Sequence, residues 1–417
     1  MRYVILGSSA AGVNAGRELR ARDNEAEIIM ISKDSEIYSR CILHHYLGNT
    51  RTVEQLNFAE ADYFQQFRVA FMGGMEAVGV NVENKAVLVS DISSGEEMEM
   101  VEEVAYDKLL IATGSSSFVP PIENLNIASN VVGFRNLEDI VKIKDAMPRK
   151  HVVILGSGLV GLDAIAGLEE IGVKPTIVEM APYPLTRQLD PKAARAYIDA
   201  LNEVGVKQYY STGIKKAIME NGEITALELS CGETIPCDFL IVSAGVRANV
   251  KFLEGSGIEV SKFGLVFDAQ GRTNVADIYG AGDVSGLRPI WPVAVKEGII
   301  AAANMAGGKM EMTDFFASKS TMNFFGVSTM SLGDVNLSDP SYEISIEEDG
   351  KNYKKIIHKD GKIYAAILQG DLSYSGVLQQ LIINKIDVRH VRKPIFKVDY
   401  SDFFNIDDNF EFFYTED

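Results

Sequence analysis

A glycine-rich turn between a short apolar strand and a helix occurs twice in this chain of 417 residues, at 7–12 and again at 156–161. In such a loop the first glycine allows a tight turn and the second lets the backbone approach a pyrophosphate. The third lets the helix pack closely on the strand. Backbone N–H groups and the positive helix end then hold the phosphate charge. Two such loops predict two bound dinucleotides, which suits electron transfer between a nicotinamide and a flavin.

The second loop carries the complete pattern between a predicted strand and a predicted helix. Its predicted NAD-binding residues are Gly156, Gly158, Leu159, Val160 and Gly161. Glu179 ends the next strand about 20 residues on, where its carboxylate would accept hydrogen bonds from the ribose hydroxyls. A carboxylate there repels a 2′-phosphate, and no arginine follows Glu179 before Arg187. The second loop therefore predicts NADH rather than NADPH.

The first loop departs from the pattern at two places. Ser9 replaces the second glycine, and Ser32 stands where an acid should end the next strand, with Asp34 two residues later. Serine is small enough for a pyrophosphate to approach. Three further strand-to-glycine turns follow along the chain, at residues 112–114, 243–249 and 280–283. Together these turns support the first loop as a second dinucleotide site.

In that order the loops and turns resemble the two-dinucleotide flavoproteins of the pyridine nucleotide–disulfide oxidoreductase type, over almost the whole chain. The resemblance implies FAD and NADH as cofactors. It implies that Asp283 accepts a hydrogen bond from the flavin's ribityl chain, and it adds Asp163 and Gly245 to the NAD-binding residues. The helix beginning near Pro292 would point its positive end at the flavin ring. The predicted FAD-binding residues are Gly7, Ser9, Ala10, Ala11, Gly12, Ser32, Lys33, Arg40, Thr113, Gly114 and Asp283.

The segment after the second strand indicates the branch of that family. The C-x-x-x-x-C motif of the disulfide reductases is absent. Tyr38, Arg40 and Leu43 match the Y-x-R-P-x-L-x-K pattern of NADH-dependent rubredoxin, ferredoxin and nitrite reductase-type flavoproteins, although Cys41 replaces its proline and His45 its lysine. The resemblance therefore implies an enzyme that passes electrons from NADH through FAD to an iron–sulfur or rubredoxin-type carrier, or to a partner subunit.

Cys41 leaves an alternative open and is the candidate catalytic residue. NADH oxidases, NADH peroxidases and coenzyme A-disulfide reductases use a single cysteine at about this place. A helix N-terminus and the neighbouring Arg40 would favour a reactive thiolate. The other interpretation is that Cys41 is only a small apolar residue at the position where relatives have proline. Cys231 and Cys237 are interpreted as buried structural cysteines. A third hypothesis is a binding or signalling flavoprotein with vestigial catalysis.

The predicted fold class is α/β, with two Rossmann-like dinucleotide-binding domains and a C-terminal α+β domain. The FAD-binding domain is predicted to be discontinuous, formed by residues 1–117 and 244–317. The NAD-binding domain, 118–243, is inserted within it. Residues 318–417 are predicted to form an interface domain that ends in an acidic, aromatic tail. We expect a homodimer or the flavin subunit of a larger complex.

Composition narrows the possible partners. A formal charge of −18 argues against nucleic-acid binding, which needs basic surface. Since no apolar run approaches the ~18–20 residues that cross a bilayer, we expect a cytoplasmic protein without membrane insertion. Neither the three cysteines nor the five histidines have metal-ligand spacing, so no metal site is predicted. A basic cluster would suit an acidic carrier protein; it consists of Lys385, Arg389, His390, Arg392 and Lys393.

Overall fold

Alternating apolar runs and amphipathic segments fold into strands and helices in the computed structural model, which describes residues 1–92, 101–313, 319–373 and 375–414. The helices are α1 (Ala10–Arg22), α2 (Leu43–Leu47), α3 (Tyr63–Gln66), α4 (Leu137–Ala146), α5 (Leu159–Glu170), α6 (Pro191–Glu203), α7 (Trp291–Met305) and α8 (Ser375–Ile383). The strands are β1 (Arg2–Leu6), β2 (Glu27–Ser32), β3 (Val69–Gly73), β4 (Met75–Asn81), β5 (Ala86–Asp91), β6 (Val101–Ala105), β7 (Lys108–Ile111), β8 (Ser115–Ser117), β9 (Val131–Gly133), β10 (Val152–Leu155), β11 (Thr176–Val178), β12 (Lys207–Tyr209), β13 (Ile214–Glu220), β14 (Glu223–Leu229), β15 (Thr234–Pro236), β16 (Phe239–Val242), β17 (Val246–Ala248), β18 (Ile278–Gly280), β19 (Ser320–Phe324), β20 (Val327–Gly333), β21 (Glu343–Asp349), β22 (Asn352–Lys359), β23 (Lys362–Gln369), β24 (Phe404–Ile406) and β25 (Phe412–Tyr414).

Contacts within the chain divide it into two units. Unit 1 comprises Met1–Val119, Gly133–Asp145 and Ala244–Ala317. Unit 2 comprises Pro120–Val132, Ala146–Ser243 and Ser318–Asp417. Among the described residues, no helix has the length and apolar character needed to cross a membrane.

Unit 1 is built on a parallel sheet of order β18-β7-β1-β2-β3. Successive side chains of a strand point to opposite faces, so Tyr3 and Ile5 join one apolar cluster while Val4 and Leu6 join another. Burial on both faces explains why β1 is uniformly apolar. Helices α1 and α7 pack against each other over the first face, and an antiparallel β4-β5-β6 sheet and a β8-β17 pair complete the unit.

Unit 2 contains a second sheet, of order β12-β11-β10-β16-β9, whose β10–β11, β10–β16 and β11–β12 pairs are parallel. An antiparallel β13-β14-β15 sheet follows it. The C-terminal part forms an antiparallel sheet of order β19-β20-β23-β22-β21, against which α8 packs. Strands β24 and β25 form a separate antiparallel pair.

A buried ionic network fastens α6 to the C-terminal sheet within unit 2. Asp190 caps α6 by accepting a hydrogen bond from the Ala193 N–H at 2.9 Å. The Tyr353 hydroxyl donates to the same carboxylate at 2.7 Å, and Lys355 Nζ lies 3.1 Å from it. Burial acts to raise the pKa of Asp190, but these three donors outweigh it and hold that pKa below its ordinary value.

The predicted α/β fold with parallel Rossmann-like units is confirmed. Helix α5 begins at Leu159, inside the glycine loop. Gly133–Asp145, which the prediction grouped with residues 118–243, packs in unit 1. The predicted boundary between 317 and 318 lies outside the described residues. The division into three domains therefore stays a prediction.

Candidate cofactor-binding site

A cavity of about 430 Å³ lies at the carboxyl ends of β1, β2, β7 and β18 in unit 1. The strand order places β2 on one side of β1 and β7 on the other. In open α/β sheets, this reversal is where ligands bind. Eleven of the residues singled out in the sequence line the cavity: Gly7, Ser9, Ala10, Ala11, Ser32, Lys33, Arg40, Cys41, Thr113, Gly114 and Asp283.

The glycine loop at one end of the cavity cannot hold side chains at two positions. Gly7 has a φ of +114°, and a Cβ there would lie 2.3 Å from the Ala112 carbonyl oxygen. A Cβ on Gly12 would lie 1.9 Å from the Gly7 carbonyl oxygen. Gly12 does not line the cavity; it lets α1 approach the loop. Its role is therefore one of packing.

Ser9 fits the loop because its backbone is extended, with a φ of −98°. It is the N-cap residue of α1, yet its side chain makes no capping hydrogen bond, and the first turn of α1 contains no acid. The first N–H groups of a helix need partners that capping side chains usually supply. This end of the cavity thus offers a helix N-terminus suited to a pyrophosphate, so the residues present fit FAD.

The strand-end position carries no acid, as the sequence indicated. Ser32 accepts a hydrogen bond from the Ser8 hydroxyl at 2.8 Å. Lys33 pairs with Glu76 at 2.9 Å, and Glu76 also lines the cavity. Glu76 belongs to β4, so no sequence spacing linked it to the loop.

The Tyr38–Arg40 pattern forms a bonded group around Asp34. Arg40 Nη2 lies 2.6 Å from one Asp34 oxygen, and the Tyr38 hydroxyl donates to the other at 2.8 Å. The same hydroxyl accepts from the Leu137 N–H at 3.2 Å. Burial raises the pKa of Tyr38, which stays protonated and able to donate. These bonds fix the segment that presents Cys41 to the cavity.

Cys41 is exposed and sits in a short 3₁₀ turn, where its N–H donates to Ser39 Oγ at 3.3 Å. The two neighbouring histidines lie on α2. Neither His44 nor His45 lines the cavity. Burial lowers the pKa of His44 to about 4, while His45 Nδ1 lies 3.1 Å from Thr50 Oγ1. Of this segment, Arg40 and Cys41 are thus the cavity-lining residues.

Asp283 lies at the other end of the cavity in contact with a residue that sequence reasoning missed. Arg135 Nη2 donates to an Asp283 oxygen at 2.5 Å, and the same nitrogen reaches Ser115 Oγ at 2.9 Å. Arg135 and Asn136 both line the cavity. They belong to the segment that the sequence grouped with another domain, and no motif marked them.

Two further contacts shape this end. The Thr113 hydroxyl donates to the Asn249 carbonyl at 2.9 Å, and Asn249 Nδ2 donates back to the Thr113 carbonyl at 3.0 Å. Trp291 and Ala294, from the first turn of α7, line the cavity. That turn contains no acid. The positive end of α7 is therefore available to a negatively charged group, as the flavin interpretation requires.

The second glycine loop lies in unit 2. Gly156 has a φ of +104°, and a Cβ on it would lie 2.7 Å from the Ser243 carbonyl oxygen. A Cβ on Gly161 would lie 2.3 Å from the Gly156 carbonyl oxygen. Gly158 differs, because its φ is −73° and a Cβ there would meet no protein atom within 4 Å. Protein packing explains the first and third glycines, whereas the second leaves room beside a helix N-terminus without a side-chain cap.

Glu179 is bonded directly to this loop. One carboxylate oxygen accepts from the Ser157 N–H at 2.7 Å and from its hydroxyl at 2.9 Å. The other accepts from the Ala181 N–H at 2.7 Å. A carboxylate has about four acceptor positions, so one remains for a ribose hydroxyl. The exposed Met180 lies beside it.

The remaining predicted NAD-binding residues occupy different surroundings. Leu159 and Val160 form the half-buried first turn of α5. Asp163 is also half-buried on α5, and burial raises its pKa to about 8. Gly245 belongs to unit 1, where its carbonyl accepts from the Phe118 N–H at 2.9 Å.

The other cysteines and the basic cluster give mixed results. Cys237 is buried, and burial raises its pKa to about 12, in agreement with a structural role. Cys231 is exposed, so its interpretation as a buried cysteine was wrong: it lies in the turn between β14 and β15.

In the basic cluster, Arg389 pairs with Asp387, and Lys393 pairs with Asp399 at 2.9 Å. Part of its charge is thereby neutralised within the chain.

Residues 1–298 match the family model of the pyridine nucleotide-disulphide oxidoreductases. The chain belongs to this family. Residues 319–386 match the C-terminal domain of rubredoxin NAD⁺ reductase. The predictions of an NADH-dependent flavin oxidoreductase, with FAD and NADH as cofactors, are confirmed.

Two curated proteins and one solved structure are similar to this chain. An NADH oxidase of Methanocaldococcus jannaschii is 30% identical over 74% of this chain and 70% of that protein. The epsilon subunit of an NADH-dependent phenylglyoxylate dehydrogenase of Aromatoleum evansii is 28% identical over 94% of this chain and 93% of its own. The structure of NADH:rubredoxin oxidoreductase from Clostridium acetobutylicum has a TM-score of 0.75 at 24% identity, covering 94% of this chain and 97% of that one.

Proposed function

We propose that this oxidoreductase passes electrons from NADH through FAD to an iron–sulfur or rubredoxin-type carrier protein, or to a partner subunit of a larger complex. The match of residues 319–386 to the rubredoxin NAD⁺ reductase C-terminal domain carries this proposal. The Tyr38–Arg40 pattern beside the cavity agrees with it, and the Aromatoleum relative is itself a subunit.

In this proposal the cavity of unit 1 holds FAD. When bound there, FAD would accept hydride from NADH and donate electrons to the next carrier. The loop residues Gly7, Ser9, Ala10 and Ala11 hold the pyrophosphate. The FAD-binding set also takes in Ser32, Lys33, Arg40, Thr113, Gly114 and Asp283, to which the cavity lining adds Arg135. Gly12 serves the same site by letting α1 pack against the loop.

NADH is proposed to bind along the second glycine loop, with Glu179 accepting from its ribose. The NAD-binding set is Gly156, Gly158, Leu159, Val160, Gly161, Asp163, Glu179 and Gly245. Residues 1–117 and 244–317 then form the FAD-binding domain, 118–243 the NAD-binding domain and 318–417 the interface domain, with Gly133–Asp145 contributing Arg135 to the FAD site. We further propose that the enzyme acts in the cytoplasm, as a homodimer or as the flavin subunit of a complex.

The alternative is an NADH oxidase, NADH peroxidase or coenzyme A-disulfide reductase that uses the Cys41 thiol. One observation favours it, since Cys41 is exposed and lines the cavity. Its backbone turn is held by Ser39, so replacing the sulfur alone should leave the segment in place.

An acceptor panel with a cysteine variant separates the two functions. Purified holoenzyme would be supplied with NADH and, in turn, with rubredoxin, ferredoxin, oxygen, peroxide and coenzyme A disulfide. The electron-carrier function predicts the fastest turnover with an iron–sulfur or rubredoxin-type protein, unchanged in Cys41→Ser. Cys231→Ser serves as the control, because that cysteine is also exposed but does not line the cavity.

Loss of turnover in Cys41→Ser, with Cys231→Ser unaffected, would replace the proposal by the thiol mechanism. Failure of NADH to reduce the flavin in anaerobic stopped-flow would instead favour a flavoprotein with vestigial catalysis.

A further inference from the structure

A carboxylate lies directly behind the turn that carries Asp283. Glu297 projects from α7, and its Oε2 accepts a hydrogen bond from the Gly282 N–H at 2.7 Å. Gly282 has a φ of +81°, and a Cβ on it would lie 3.3 Å from the Cβ atoms of both Ala11 and Ala294. The turn is therefore held closely between α1 and α7, and its backbone is bonded to Glu297, which does not line the cavity described above.

The other side of Glu297 faces a second cavity, of about 220 Å³, within unit 1. Most of its lining is apolar, including Leu265, Phe267 and Ile300. Its rim includes the exposed residues Asp268 and Leu287, so solvent can reach it. None of the predicted cofactor-binding residues lines this cavity, and the proposed function does not use it.

Charged side chains that act on Glu297 include Asp283 and Arg288, while Asp268 lines the same cavity. Asp283 is on the turn, Arg288 precedes α7, and Asp268 is on the cavity rim. Burial raises the pKa of Glu297 to about 7, with Asp283 adding to the increase while the Gly282 N–H and Arg288 oppose it. Both charge states of Glu297 are thus populated near neutral pH.

We propose that Glu297 is a positioning residue for the flavin site whose carboxyl exchanges one proton with solvent, through the second cavity, as the charge at the Gly282–Asp283 turn changes. This inference rests on the proposed function, because it needs FAD to lie against Asp283. Hydride transfer from NADH leaves NAD⁺ and adds two electrons and one proton to the flavin site, which becomes more negative by one charge. The carboxylate then takes up one proton from solvent. When the two electrons leave one at a time for the next carriers, the proton of the flavin site is released to solvent, and Glu297 also returns its proton to solvent.

The physical reason is the low dielectric around a buried carboxylate. Two negative charges close together in such surroundings repel strongly, so a new charge at the turn raises the proton affinity of Glu297. By linkage, the protonation of Glu297 must favour the reduced flavin by the same factor. Glu297 thereby couples the redox equilibrium of the site to pH, although it does not line the proposed flavin cavity.

The test is the pH dependence of the flavin midpoint potential in holoenzyme, measured by anaerobic titration between pH 5.5 and 9. Above pH 7 we expect one additional proton per reduction. This proton changes the equilibrium constant for flavin reduction by up to tenfold per pH unit, which is about 30 mV per pH unit for a two-electron couple. Glu297→Gln keeps an acceptor oxygen for Gly282 but does not titrate, and should lose this additional slope. Glu297→Asp should retain the slope with a shifted onset.

Asp268→Asn is the matched control, because it removes a carboxylate from the rim of the same cavity and should keep the wild-type slope. Proton uptake during photoreduction of the wild-type enzyme, followed with a pH indicator, gives a second measurement that needs no variant. Equal slopes in wild type and Glu297→Gln, or no additional proton in wild type above pH 7, would overturn the inference. Flavin content and reduction by NADH are measured first on the same samples, and their failure would count against the proposed function instead.

Discussion

The Asp190 network allows a stability prediction that can be worked from distances and burial. Asp190 and Lys355 side chains are only 12% and 11% exposed, and they lie 3.1 Å apart. Removing one partner of a buried pair costs about 3–5 kcal/mol, because the other charge stays buried without compensation. The residual exposure of both side chains reduces this free-energy cost, so Asp190→Asn should lower the stability of unit 2 by about 2–4 kcal/mol.

Asp190→Ala should cost more than Asp190→Asn. The alanine variant also loses the α6 cap, worth about 1 kcal/mol, and the hydrogen bond from Tyr353. The double variant Asp190→Asn/Lys355→Met removes both charges and should recover about 2 kcal/mol relative to the sum of the single changes.

The assay must resolve the two units, since a chain of this kind need not unfold in one step. Trp291 is the sole tryptophan and belongs to unit 1, so its fluorescence should be insensitive to these changes. Hydrogen–deuterium exchange followed by mass spectrometry would report α6 and β22 directly. A cost below about 0.5 kcal/mol for Asp190→Asn, or no coupling in the double variant, would show that the Asp190–Lys355 pair does not stabilise unit 2.

The stabilisation by Asp190 depends on pH because the pKa of its carboxyl is held below the ordinary value of 3.8. The contribution of the ionised carboxylate is fully present above that value. It is lost as the pH falls through the lower pKa of the folded state. The difference between wild type and Asp190→Asn should therefore stay constant from pH 7 down to about 4 and shrink below it.

Three further predictions concern the nicotinamide side. Gly158→Ala should fold normally but weaken NADH binding at least tenfold by calorimetry. Gly161→Ala is the contrast and should lose thermal stability, because its Cβ would lie 2.3 Å from a backbone oxygen. Equal NADH affinity in Gly158→Ala and wild type would contradict the proposal that NADH binds beside Gly158. Glu179→Ala combined with Met180→Arg should raise the kcat/KM for NADPH relative to NADH, and an unchanged ratio would show that Glu179 does not select the cofactor. Burial raises the pKa of Asp163 to about 8, so the wild type loses stability as the pH rises from 4 to 8. Asp163→Asn should therefore gain stability relative to wild type over this range, by on the order of 1–3 kcal/mol. A pH-independent difference between the two in denaturant titrations would count against this.

Much of the fold was readable from local patterns. The apolar runs at β1, β2 and β10 and the glycine turns after β1 and β10 indicated two parallel βαβ units, and both are present. Such elements are predictable because strand and helix periodicity and the steric demands of Gly7 and Gly156 act over a few residues.

Spacing along the chain could not reveal partners brought in from remote segments. Arg135 meets Asp283 across 148 positions, and Glu76 joins Lys33 from a different sheet. The exposure of Cys231 and the internal ion pairs of the basic cluster likewise depend on which side chains fold back on them. Sequence reasoning could assign chemistry to these residues but not their surroundings.

The two dinucleotide loops, the preference for NADH expected from Glu179 and the family could therefore be predicted, because each depends on residues that are close along the chain. Only the folded chain shows which side chains share the cavity of unit 1 and that Glu297 is bonded to Gly282. Folding also sets the burial that moves the pKa values of Asp163 and Glu297. Burial and long-range contact arise only when distant segments pack together, so these properties had no signal in local spacing.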